Sequence, residues 1–179
     1  MPADSRSSLA HDIDRTCRLT GTFRLRSGRI ATEYFDKYLF ESDPQLLRGV
    51  AEAMKPLIPH GTELLGGLEL GGIPLATMVS SLTGIPTVFV RKKAKEHGTR
   101  KLAEGAEVAG RHITLVEDVI TTGGAVRAAA NALRAAGATV TTVVCAIDRS
   151  DTPGSALADV QVETRAVFTR ADLEAVRQP

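Results

Sequence analysis

The sequence predicts an α/β fold in which a central parallel sheet is flanked by helices. Short runs rich in Val, Ile, Leu and Thr alternate along the chain with segments of helical spacing, the order that builds parallel strands joined by right-handed crossovers. Hydrophobic residues make up 43% of the 179 positions but aromatics only 4%, so layers of Ala, Val, Leu and Ile must form the core. Charged residues collect where strand-like runs end: Glu69, Arg91, Glu117, Asp118, Asp148 and Arg149. Sheets of this type bind ligands at those ends.

The first element, "MPADSRSSLAHDIDRTCRL", intersperses charges with isolated apolar residues and has no hydrophobic signal-peptide core, so it reads as an amphipathic helix. "FRLRSGRI" and "TEYFDKYLF" read as two strands joined by a Ser-Gly turn. Asp43 is the expected N-cap of a helix with Pro44 at its first position. "TELLGGLEL" is a strand, Pro74 to Leu82 a helix, Gly84 a turn and Thr87 to Val90 a strand. Leu70 to Val90 is uncharged for long enough to span a bilayer, but Pro74, Pro86 and its glycines divide it. A long polar segment follows. Ile113 to Val116 is a strand expected to end at the acids, and Gly123-Gly124 a turn. Ala125 to Ala136 is a helix stopped by Gly137. "ATVTTVVCAID" and "VETRAVF" are strands, and "RADLEAV" is a short closing helix.

Net charge is +1 with no acidic or basic tail, which argues against nucleic-acid and membrane partners. Cys17 and Cys145 form no C-x-x-C unit, so the expected setting is the reducing cytoplasm. The expected organisation is one domain over residues 1–179.

The stretch "ITLVEDVITTGGAV" carries the chemistry. A strand, a Thr/Gly turn and a helix N-terminus make an anion cradle, with amides, hydroxyls and the helix dipole all favouring a phosphate. There is no Lys-Ser/Thr pair after the glycines and no G-x-G-x-x-G, which sets aside the P-loop and the dinucleotide fingerprint. Glu117 and Asp118 would repel a phosphate unless they face sugar hydroxyls or a Mg²⁺ ion, and that points to a phosphorylated sugar. Arg91 to Lys101 carries six Lys/Arg against one Glu, plus His97. Beside a phosphate cradle such a segment makes sense as a cationic lid, and it has no aromatic for stacking bases.

These residues resemble a known family. "LVEDVITTGGA" is similar to the signature of type I phosphoribosyltransferases, and "RKKAKEHG" resembles the R-K-x-x-K-x-H-G loop of orotate phosphoribosyltransferases. "FRLRSGR" and "AIDRS" match in order and spacing. The resemblance implies a type I phosphoribosyltransferase-like sheet with a small N-terminal hood (about 1–40) and a mobile catalytic loop (about 91–110). The activity implied is the formation of orotidine 5′-monophosphate and pyrophosphate from orotate and 5-phosphoribosyl-1-pyrophosphate. Another nucleobase, or a non-catalytic phosphoribosyl-pyrophosphate sensor, is the alternative.

By that resemblance Glu117 and Asp118 hold the ribose hydroxyls, while Val119, Ile120, Thr121, Thr122, Gly123, Gly124 and Ala125 surround the 5′-phosphate. Arg91, Lys92, Lys95 and His97 engage the pyrophosphate, and Lys95, His97 and Asp118 are the catalytic residues. Arg149, Thr121, Arg26, Tyr34 and Phe35 line the orotate pocket. The resemblance also implies a homodimer with shared active sites, and Mg²⁺ held mainly by substrate without a protein ligand. Three positions depart from the pattern: Leu70-Gly71 replaces an aromatic-lysine pair, Glu117 the commoner Asp, and Arg26 a frequent Lys.

Overall fold

The computed structural model describes residues 3–25, 28–92 and 102–177. Helix α1 (Ala3–Cys17) leads into an antiparallel ribbon of β1 (Arg18–Arg24) and β2 (Ile30–Phe35). Helices α2 (Tyr38–Ser42) and α3 (Pro44–Met54) follow, then β3 (Leu64–Leu68), α4 (Gly72–Thr83), β4 (Thr87–Val90) and β5 (Ala103–Glu104). The chain continues through β6 (His112–Ile120), α5 (Gly124–Ala135), β7 (Thr139–Asp148), β8 (Glu163–Thr169) and α6 (Arg170–Ala175).

The main sheet has six strands in the order β5-β4-β3-β6-β7-β8. All its neighbours are parallel except the β4–β5 pair. The strands are buried and apolar, as a sheet covered on both faces requires. Adjacent residues feed separate cores: Leu115 and Val143 pack with Val126 and Leu133 of α5, whereas Val116 and Val144 pack with Ile13, Phe40, Met54 and Leu75. This is the two-residue alternation of a strand.

Asp43 caps α3 as expected, its carboxylate accepting the N–H groups of Gln45 and Leu46 at 2.8 and 3.0 Å. Thr169 and Asp172 close a capping box at α6. Arg6 of α1 reaches across to Asp172 and lies 5.0 Å from the Phe168 ring, which fixes the N-terminal helix against the last strand and helix.

Four local expectations are corrected. The second strand ends at Phe35, and the rest of "TEYFDKYLF" is helical, because Asp36 accepts the Tyr38 N–H and Phe40 turns fully into the core. Strand β6 does not stop before the acids. It runs on to Ile120, because Glu117 pairs with Cys145 and Val119 with Ile147 and the ladder to β7 continues. Helix α4 begins at Gly72, two residues before Pro74. The polar segment after β4 returns as β5, which makes the sheet mixed at that edge. Among the described residues no helix is long and apolar enough to cross a membrane, and the uncharged run from Leu70 is divided between α4 and β4.

Candidate active site

Strand β6 delivers the acid pair and the cradle at the carboxyl end of the sheet. A cavity of about 180 Å³ is lined by Glu117, Val119 to Ala125 and Val126. Gly123 adopts φ 72°, a left-handed conformation that swings the chain from strand into helix. No side chain caps α5, so its first amides are free to meet an anion.

A residue that carries no motif braces this turn. The Arg127 guanidinium donates to the Thr122 carbonyl at 2.7 Å, to the Ala156 carbonyl at 2.5 Å and to both oxygens of Asp159 at 2.8 and 3.1 Å. Leu157 closes the other side, 2.7 Å from where a Cβ on Gly123 would stand. Both contacts come from the segment after β7, so the cradle is held from outside its own sequence.

The acid pair divides. Glu117 lines the cradle, whereas the Asp118 carboxylate is buried beside Lys37 and Glu41 at the start of α2 and forms an ion pair with the Lys37 ammonium. Three carboxyls around one ammonium cannot all be ionised. Burial pushes Glu117 up to about 9 and Glu41 up to about 8, with the neighbouring Asp118 adding to both. As a carboxylate, Glu41 Oε1 would be buried with no donor among the described residues, whereas as an acid it donates toward Asp118. Burial would raise Asp118 too, but hydrogen bonds from Glu117, Glu41 and Lys37 outweigh it and hold that carboxyl below its usual range. The Lys37 ammonium is held charged in turn, its bond to Asp118 overriding its own burial.

Gly71 explains one departure from the family pattern. A Cβ there would fall 1.7 Å from Asp118 Oδ2 and 2.6 Å from Glu41 Oε1. A side chain fits only if those carboxyls give way, and the turn after β3 rests directly on the carboxyl cluster. Gly72 does the same to the strand itself, its absent Cβ lying 2.3 Å from the Val116 carbonyl oxygen.

Arg91 and Lys92 stand at the end of β4, where the Arg91 N–H donates to Leu102 at 2.9 Å and the Lys92 N–H to Glu69 at 3.0 Å. A cavity of about 440 Å³ brings Glu69, Arg91 and Lys92 opposite Ala125 at the cradle. Arg149 follows β7, its N–H donating to the Ile120 carbonyl at 2.8 Å and its guanidinium 5.4 Å from the Phe35 ring. Burial, then Arg170 and Arg18, lower its pKa from the ordinary value. Tyr34, one residue earlier on the strand, lies instead on Phe23 with ring centres 5.5 Å apart. Neighbouring strand residues face opposite ways, so Phe35 and Tyr34 present different surfaces. Arg26, Lys95 and His97 lie outside the described residues.

Strand order, acid pair and uncapped cradle together define a class, the phosphoribosyltransferases, and the phosphoribosyl transferase domain matches residues 40–167. An orotate phosphoribosyltransferase of a Nocardioides species is 69% identical over 172 residues, 96% of each chain. One from Methanocella arvoryzae is 41% identical over 153 residues, 86% of this chain and 87% of its own. The orotate phosphoribosyltransferase of Mycobacterium tuberculosis, crystallised with Fe(III) dicitrate, superposes with a TM-score of 0.84 at 32% identity, covering 94% of this chain and 98% of that one. The chain belongs to the orotate phosphoribosyltransferase family.

Proposed function

We infer that the protein converts orotate and 5-phosphoribosyl-1-pyrophosphate to orotidine 5′-monophosphate and pyrophosphate, a step of pyrimidine nucleotide biosynthesis. The observation that carries this reading is the acid pair of β6 running straight into an uncapped phosphate cradle, with Arg149 at the next strand end. The crystal structure of the M. tuberculosis relative with 5-phospho-α-D-ribosyl 1-diphosphate, TM-score 0.80 at 29% identity over 95% of this chain and 99% of that one, supports the same ligand class.

In this reading the amides and hydroxyls from Thr121 to Ala125 hold the 5′-phosphate, and Glu117 and Asp118 take the ribose hydroxyls. Orotate N1 then displaces pyrophosphate at C1′: the C1′–N1 bond forms as the C1′–O bond breaks, and the N1 proton is released with the pyrophosphate. The protein supplies no nucleophile. It positions the two reactants and stabilises charge on the leaving pyrophosphate with Arg91, Lys92, Lys95 and His97. Arg149 pairs with the orotate carboxylate over the Phe35 ring, with Thr121 and Arg26 completing the pocket, while Tyr34, on the other face of its strand, is left to Phe23.

Mg²⁺ neutralises charge on the pyrophosphate in such a transfer. Among the described residues no three His, Cys, Asp or Glu side chains could hold a metal ion, and an acid pair with one protonated member and one on Lys37 is a poor cage. We therefore place the ion on substrate oxygens. The same reading takes residues 1–40 as a hood over the site and the segment that follows β4 as the catalytic loop, its later part returning as β5. The working form is a cytoplasmic homodimer with shared sites.

The test is the fall in orotate ultraviolet absorbance on mixing protein, phosphoribosyl pyrophosphate and Mg²⁺. The reading expects a decrease that needs all three. A folded protein that binds phosphoribosyl pyrophosphate and leaves orotate unchanged overturns the base assignment and favours another nucleobase or a sensor.

A further inference from the structure

We propose that Lys37 is a positioning residue of the sugar site: its ammonium, seated on the buried carboxylate of Asp118, fixes that group beside Glu117 at the edge of the cradle, where the ribose hydroxyls dock. The proposal rests on the reading that Asp118 receives the sugar.

The geometry makes Lys37 the resident cation of the cluster. Its ammonium meets Asp118 Oδ2, the same oxygen against which the bare backbone of Gly71 is packed. The Lys37 side chain is one-third exposed, at 33%, while that of Asp118 is 1% exposed, so the lysine bridges a buried acid to the open end of the sheet. The neighbouring Tyr38 ring lies 5.3 Å from the ammonium and narrows its range of positions. Asp36, Tyr38 and Glu41 face the cluster from the α2 side, Glu117 lies beside it on β6, and Cys145 approaches from β7, with Asp148 behind it bound to the Ser150 and Gly154 amides. Lys37 is the cation acting on each of the three acids.

A pair of acids beside a phosphate cradle should repel a polyanionic sugar phosphate. Here one acid keeps its proton and the other is neutralised by Lys37, so the ligand meets a site carrying little net charge. Without the ammonium, only the hydrogen bonds from Glu117 and Glu41 would oppose burial at Asp118, and its carboxyl would take up a proton more readily. A protonated Asp118 would then offer the hydroxyls an uncharged and weaker acceptor.

The test is steady-state kinetics of the full-length protein from pH 6 to 9 with Lys37→Met, Lys37→Gln, Lys37→Arg and Asp118→Asn, each checked for folding by thermal melting. Loss of a charged acceptor is expected to raise the KM for phosphoribosyl pyrophosphate about 10- to 100-fold in Lys37→Met, with the orotate KM within about twofold of wild type. That raised KM should fall as the pH rises and Asp118 ionises. In wild type and Lys37→Arg it should stay flat at the acid end of the range, before Glu41 and Glu117 begin to titrate at about 8 and about 9. Lys37→Gln, which can donate without charge, carries the same expectation should Lys37→Met not fold. An unaltered phosphoribosyl-pyrophosphate KM in either folded neutral variant overturns the proposal, and so does a pH dependence that Lys37→Arg fails to remove. If Asp118→Asn alone raises that KM, the role of Lys37 is lost but the sugar site stands. If Asp118→Asn is also unaltered, the sugar-site reading itself fails.

Discussion

Arg127 and Asp159 form a two-point ion pair, Nε to Oδ2 at 2.8 Å and Nη2 to Oδ1 at 3.1 Å. The pair lies on the surface and would contribute little to stability by itself. Its effect comes from the third nitrogen, which holds the Thr122 carbonyl away from the cradle. Arg127→Met is expected to raise the KM for phosphoribosyl pyrophosphate about tenfold, since a displaced binding turn loses alignment rather than charge. The orotate KM should stay put. Equal KM values for wild type and variant would show that the cradle holds its shape unaided.

Arg149 tests the base pocket. Removing it should raise the orotate KM by about 10- to 100-fold, the range for losing a charge-assisted contact to a carboxylate. Inhibition by inorganic pyrophosphate should not change. Phe35→Leu, which removes the ring beneath the guanidinium, should reproduce a smaller part of the same loss. A variant of Arg149 with normal orotate affinity would exclude that residue from the pocket.

Lys95→Ala, with the fold intact by circular dichroism, should lower turnover on the order of 10²- to 10³-fold. Turnover at the wild-type rate would remove Lys95 from the stabilisation of the leaving group.

The carboxyl cluster predicts how stability varies with pH. Glu41 and Glu117 have an ordinary value of 4.5, and folding raises them to about 8 and about 9. Between those values the folded chain binds more protons than the unfolded one, so stability declines as pH rises from about 5 to 9. Asp118 is held low, and its contribution is lost only on acidification, outside that window. Glu41→Gln removes one of the two protons at issue. Its melting temperature should exceed that of wild type at pH 8.5 and vary less between pH 6 and 9, with about 2–4 °C expected per kcal/mol for a chain of this size. Parallel melting curves across the range would refute the assignment.

What the sequence discloses here follows from how local each feature is. Glu117 to Ala125 is one continuous stretch of chain, from strand end through turn to helix start, so order alone singled out the acids, the hydroxyls and the helix start. Arg149 was legible because it follows a strand end. Lys37 and Arg127 were not, since their roles depend on Asp118 and Thr122 meeting residues from another element or a distant loop. Lys37 was further concealed within a segment that read as strand and is helical from Tyr38. The two-residue β5 is too short to show any periodicity. Gly71 looked from the sequence like a missing lysine, while the structure shows a space already occupied.

That occupancy restricts the routes open to the protein's descendants. At position 71 a side chain must share space with Asp118 and Glu41, so a lysine there is not reachable by a single tolerated change. Glu41 or the turn would have to yield first, and each change alone would carry a cost that the two together avoid. A sequence with a lysine on this turn and the present one, whose cation stands at position 37, would then be separated by variants less fit than either. A cation transplanted from one background to the other should fail until its neighbours are exchanged with it.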